Sequence, residues 1–217
     1  MHGSTRRPER AAALQAMGAT PVLVDVFDAE ALKEALVRIA PAGVIHQLTD
    51  LPPGLDPARM AESLVRNARV RTEGTRHLVD AARAAGAKRI VAQSIAWAYA
   101  PAPKPFTEDL PLDLDAEGAR GVSVRGVAAL EQAVLNAEGM TGTVLRYGRF
   151  YGSGTGTEAP AGPGPVHVEA AAWAALLAWQ RGIGGVFNVT EDGPEVDSAK
   201  ARRVLGWRPE MRVADKA

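Results

Sequence analysis

The chain has 217 residues, enough to bury a sizeable core, and no cysteine, which excludes disulfide scaffolds, thiolate metal sites and cysteine nucleophiles. Its 25 basic residues balance 25 acidic ones, so no cationic field exists to gather phosphate backbones, and nucleic acid is not an expected partner. No apolar run approaches the roughly 18 residues of a membrane helix. The polar start, Met1–Arg10, lacks a signal-peptide core, so a cytoplasmic protein without a membrane partner is expected.

Pro8 opens a short predicted helix through Met17, and Gly18 closes it. A β-branched run, Pro21–Val26, reads as a strand, and Asp28 is placed to cap the next helix. In that helix Leu32, Ala35, Leu36 and Ile39 form one apolar stripe before Pro41 and Gly43 end it. Gly43–Leu48 is a second strand. After the Pro-rich loop Leu51–Pro57, helical periodicity runs from Ala58 to Ala85 and stops at Gly86. Arg89–Gln93 is a buried strand, and Ile95–Gly121, with four prolines and an acidic cluster, reads as a surface excursion. A helix (Val122–Ala137), a strand (Thr143–Tyr147), a Gly/Pro-rich loop (Gly148–Pro165), a helix (Glu169–Arg181) and a strand (Gly185–Thr190) follow. A short helix capped by Ser198 and ended by Gly206 precedes a Pro-containing tail. Strands alternating with helices of this length imply right-handed crossovers and a parallel sheet covered on both faces.

Several segments, in order, resemble the NAD(P)-dependent epimerase/dehydratase family, the extended short-chain dehydrogenase/reductases. Gly18–Val26, with Asp25, is similar to the family's third strand, and Val44–Thr49 to its fourth. Thr72–Thr75, Leu78–Ala82 and Lys88–Ser94 are similar to its central helix and the strand ending in its catalytic serine. Leu145-Arg-Tyr-Gly-Arg-Phe-Tyr-Gly152 is the most specific match, and Ala199–Pro209 resembles the C-terminal signature. The resemblance implies an α/β, Rossmann-like doubly wound parallel sheet with a reduced C-terminal substrate lobe. Residues 1–150 would form an N-terminally incomplete NAD(P)-binding domain. Residues 151–217 would form a lobe remnant that returns one strand and helix to the core.

In this fold a Gly-rich turn after the first strand holds the pyrophosphate at a helix N-terminus. Thr5–Arg10 is similar to the segment just after the family's second strand, so the resemblance places the first strand, glycine loop and first helix upstream of Met1. Gly152-Ser-Gly-Thr-Gly156 is no substitute, because its Pro-rich continuation cannot begin a helix. The missing strand would lie between the family's fourth and second, exposing ladder edges and leaving the chain poorly stable or aggregation-prone unless upstream residues or a partner fill the gap.

The family's chemistry uses a tyrosine and a lysine four residues later on one helix face. The positions four beyond Tyr99, Tyr147 and Tyr151 are Pro103, Tyr151 and Thr155, so that pair does not occur. Alignment on Ala128–Glu131 sets Ser123 and Val127 at the two positions, and Arg71 replaces the family's usual asparagine.

The catalytic candidates are therefore Ser94, which could orient a substrate oxygen or satisfy a local amide, and Tyr99, which could donate a proton or pack its loop. Cofactor candidates are Arg6, Asp25, Val26, Leu48, Thr49 and Tyr147. Arg6 either pairs with the 2′-phosphate, favouring NADP over NAD, or is a solvated arginine. Asp25 either contacts adenine or caps a turn. His46 reads as a satisfied core or pocket-rim histidine, no metal is implied, and the acidic cluster Glu108–Glu117 reads as a solvated face. Two functions stand. One is an NAD(P)-dependent oxidoreductase or epimerase acting on a nucleotide-sugar-like or other carbonyl or hydroxyl compound. The other is a non-catalytic dinucleotide-binding or interaction module, such as a redox sensor. The partner is a small molecule, with room for a homodimer.

Overall fold

A computed structural model describes residues 1–52 and 56–213, so part of the predicted Pro-rich loop and the end of the tail lie outside the described residues. Among the described residues eight strands and six α-helices follow one another along the chain, and every pairing between named strands is parallel. The main sheet has the order β3 (Gly43–His46), β4 (Arg89–Ile95), β5 (Thr141–Tyr147), β8 (Gly185–Val189). β1 (His2–Thr5) and β2 (Thr20–Leu23) pair with each other in a separate ribbon. Among the described residues these strands thus form two separate pieces, and the end strands β1, β2, β3 and β8 each have one edge without a strand partner. This is a Rossmann-like α/β fold.

Alternation along the strands assigns the two faces. Ile90, Ala92 and Val144 pack under α5 (Gly118–Leu135) against Leu130 and Val134. Val91, Leu145 and Phe187 face the other way, onto α6 (Val168–Arg181) and a π-helical turn, Ala201–Leu205. Trp207 closes that second core, fully buried, with its indole N–H donated to the Ala170 carbonyl at 2.7 Å. A third cluster joins the two pieces of sheet: Leu32 and Leu36 of α2 (Ala29–Ile39) meet Leu78 of α4 (Thr75–Ala84), with Val24, Val26, Val44 and Leu48 around them. Asp28 caps α2 as its sequence position predicts, accepting from the Ala31 N–H at 3.0 Å.

Four expectations need correction. The single helix predicted over Ala58–Ala85 is α3 (Pro57–Arg69), a π-helical turn Val70–Gly74, and α4. The Ile95–Gly121 excursion is not all surface, because Ala98 and Tyr99 are buried and Tyr99 bridges Leu112. The acidic cluster is not simply solvated: a Glu108 oxygen accepts the Asn188 N–H of β8 at 2.8 Å, and Asp113 pairs with Arg120 at 2.7 Å. The Gly148–Pro165 segment, predicted as loop, carries two strands, β6 (Arg149–Tyr151) and, at its end, β7 (Pro165–His167). No helix among the described residues is long and apolar enough to cross a membrane, and no group of metal-ligating side chains is found among them.

Candidate functional site

Parallel strands bring their C-terminal ends to one side of the sheet, where connecting loops leave a crevice. Arg6 leaves β1 there and pairs with Asp50, beyond β3, at 3.1 Å, and Arg66 reaches the same carboxylate at 3.5 Å. Past β2, Asp25 accepts the Phe27 N–H at 3.0 Å, and Val26 packs into the cluster beneath α2. Past β3, Leu48 joins that cluster and the Thr49 hydroxyl donates to the Asn67 side-chain oxygen at 3.0 Å. The same oxygen accepts the Asp50 N–H at 2.9 Å, which fixes the loop onto α3.

His46 is a satisfied core histidine, as its strand position suggests. Nδ1 accepts the Leu48 N–H at 3.2 Å, which leaves the proton on Nε2, 2.9 Å from the Thr75 hydroxyl. Burial, with the Arg71 charge nearby, lowers its pKa to about 4, so it is neutral near pH 7.

On the other side of the crevice Ser94, Arg146 and Asn188 stand at one register on neighbouring strands, all on the α5 face. Ser94 is buried and donates to Glu131 of α5 at 2.6 Å. Arg146 grips the same carboxylate with two bonds, at 2.9 and 2.7 Å. Although burial opposes it, the Glu131 carboxylate holds the Arg146 proton more firmly than usual. The Arg146 guanidinium also lies 4.8 Å from the centre of the Tyr99 ring, and its Nη1 is buried without a hydrogen-bond partner. Tyr99 donates its hydroxyl to Asn188 at 2.6 Å, and burial raises the phenol's pKa. Tyr147 faces α6, donates to the Ala171 carbonyl at 3.0 Å and is likewise shifted upward by burial.

The structure therefore brings Ser94 and Tyr99 into one buried network with Glu131, Arg146 and Asn188, and gives both hydroxyls internal partners. Sequence reading missed the last three. The signal was strand parity: counting by twos from Ile90 and Val144 places Ser94 and Arg146 side by side beneath α5. On the π-helical turn Val70–Gly74, the Arg71 Nη1 donates to the Ser123 hydroxyl of α5 at 3.1 Å. Val127, one turn on from Ser123, is fully buried in a cluster with Ile95 and Ala98. A hollow of about 230 Å³ beside Asp192, Ser198 and Arg202 shares no residue with the Ser94–Tyr99 network.

A sequence profile of an NAD(P)H-binding family matches residues 2–170. This chain belongs to that NAD(P)H-binding family. A 3-diazoavenalumate denitrifying reductase from a Streptomyces species is 42% identical over 227 residues, spanning 86% of this chain and 74% of the relative. Among solved structures, UDP-glucose 4-epimerase from Brucella ovis in complex with NAD superposes with a TM-score of 0.69 at 18% identity, over 91% of this chain and 82% of that one. RMD from Pseudomonas aeruginosa, complexed with NADPH, gives 0.71 at 17% identity, over 94% and 90%. WbmG from Bordetella bronchiseptica, with NAD and UDP, gives 0.68 at 19% identity, over 91% and 77%. Together they place the family member described here on the fold of the extended short-chain NAD(P)-dependent enzymes.

Proposed function

We propose that the chain is an NAD(P)H-dependent reductase of a small diazo compound, with residues 1–150 carrying the cofactor side and 151–217 the substrate side of the crevice. The observation that carries the reading is the content of the α5 face. Where a carbonyl reductase needs a titrating pair, this helix presents a serine bonded to Arg71 and a valine sealed in the core. When bound, NAD(P)H would supply hydride to the ring carbon of an aryl diazonium as its C–N bond breaks, giving the arene, dinitrogen and NAD(P)+, and that exchange develops no oxyanion for a side chain to protonate. The reductase relative, whose name specifies a diazo substrate, is in keeping with that chemistry.

The donor set at the strand ends suits a dinucleotide. Asp25 offers a carboxylate to the adenine edge, Val26 and Leu48 form an apolar wall beside it, and Thr49 adds a hydroxyl. Arg6 is 42% exposed despite its ion pair and is placed to meet a 2′-phosphate, which favours NADP over NAD. Ser94 and Tyr99 hold α5 and β8 against the strand ends, and Tyr147 anchors α6. A non-catalytic nucleotide-binding module is the second reading, favoured by the internal partners of the Ser94 and Tyr99 hydroxyls.

The test supplies NADPH or NADH with an aryl diazonium carboxylate and follows reduced-nicotinamide absorbance together with dinitrogen release. Stoichiometric dinitrogen with NADPH consumption is the expected result. Nucleotide binding without turnover supports the second reading, and absence of binding removes both.

A further inference from the structure

Arg71 is a cation in an unusual position. It sits on the π-helical turn Val70–Gly74, half-buried between α3 and α5, where its Cδ is packed close to Gly126. Among the described residues no carboxylate lies within ion-pair distance of it, whereas seven other arginines have one. His46, which feels the Arg71 charge, is held neutral and offers no countercharge. Burial without a compensating anion lowers the Arg71 pKa to about 10, which still leaves it charged near pH 7.

The hydrogen bonds define which edge of the guanidinium is free. Nη1 is spent on Ser123, reaching the hydroxyl at 3.1 Å and the carbonyl at 3.5 Å. Nε and Nη2 have no protein partner among the described residues, yet they are not among the buried orphaned atoms, so solvent reaches them. Those two nitrogens form the edge that matches a carboxylate with two parallel hydrogen bonds. A buried charge without a partner is costly, and a ligand that neutralises it recovers that cost on binding.

Resting on the reductase reading, we propose that Arg71, steadied by Ser123, is the docking point for a carboxylate on the organic substrate, and so sets which end of that substrate faces the reacting centre. Ser123 is a positioning residue: by occupying Nη1 it leaves the Nε–Nη2 edge for a ligand. The nucleotide's phosphates are the other anions that could sit here, and the two sources separate experimentally.

The probe is cinnamate, a stable aromatic carboxylate, with its methyl ester as the neutral counterpart. Both are titrated calorimetrically into the full chain with and without NADP⁺, and NADPH is titrated separately. Arg71→Gln is expected to weaken cinnamate binding about tenfold, the size of a charge-assisted hydrogen-bond loss, while leaving the ester and NADPH unchanged. Arg71→Lys keeps the charge but not the fork and is expected to fall between. Its retained preference for acid over ester also distinguishes lost recognition from a misfolded variant. No cinnamate binding by the unaltered chain, an equal loss for acid and ester, or a loss confined to NADPH overturns the proposal. Failure of NADPH to bind the unaltered chain counts against the reductase reading, and the cinnamate arm without nucleotide still decides the role of Arg71.

Discussion

His46 shows how one buried side chain converts solvent pH into stability. Both ring nitrogens are engaged, and the Nδ1 lone pair accepts a backbone N–H, so adding a proton there would break a bond and bury a charge beside Arg71. Its pKa falls from 6.5 in the unfolded chain to about 4 in the folded one. Between those values the unfolded chain binds a proton that the folded chain refuses. The contribution is fully present above pH 6.5 and declines as pH drops toward 4, by roughly 3 kcal/mol in total. Urea melts at pH 7, 5.5 and 4.5 should show this decline, and His46→Gln should flatten it. An unchanged slope in that variant would assign the acid sensitivity to other groups. The Glu131–Arg146 pair is the contrasting case at the same scale: two opposite charges, both buried, whose mutual bonds replace the lost water.

At the scale of elements, legibility followed the strength of local rules. The stripe Leu32, Ala35, Leu36 and Ile39 with Asp28 ahead of it could only be a capped amphipathic helix, and α2 obeys both signals. The π-helical turn at Val70–Gly74 was invisible because one extra residue in a turn barely disturbs a 3.6-residue period. Arg71 and Ser123 could each be singled out, but their contact joins residues on different helices, which no local pattern encodes. The Glu108 bond to β8 was hidden for the same reason. Glycines mark where elements touch too closely for a side chain. At Gly142 a Cβ would stand 2.0 Å from the Val134 carbonyl oxygen, which is backbone and cannot swing aside, so the end of α5 would have to lift from β5. Gly142→Ala is expected to cost about 1–3 kcal/mol in a denaturant melt. Gly193→Ala, with nothing within 4 Å, is expected to stay within about 0.5 kcal/mol. Equal effects of the two would show that α5 yields freely.

Across the whole molecule, burial is unevenly divided between the two pieces of sheet. β4 and β5 are buried along almost their entire length and lie between two helical layers. β1 and β2 hold only exposed and half-buried residues, α1 (Ala11–Ala16) has no buried residue, and Ala19 is the one buried apolar residue ahead of α2. What ties this ribbon down sits at the crevice end: the Arg6–Asp50 ion pair, Val24 and Val26 in the shared cluster, and Arg69 at 4.0 Å over the Phe27 ring. An exposed ion pair contributes about 0–1 kcal/mol, so the ribbon should open locally well below the global unfolding free energy. Native-state hydrogen exchange should therefore find the β1 and β2 amides exchanging quickly, and the β4 and β5 amides exchanging only through global unfolding. A nucleotide seated across the strand ends would touch Arg6, Asp25 and Thr49 together, binding the closed ribbon but not the open one. Saturating NADPH should then slow exchange in residues 1–28 by far more than in β5, since ligand binding stabilises whichever state it requires. Uniform protection in the free chain, or an NADPH effect spread evenly over the molecule, would show that the ribbon and the main sheet open as one unit.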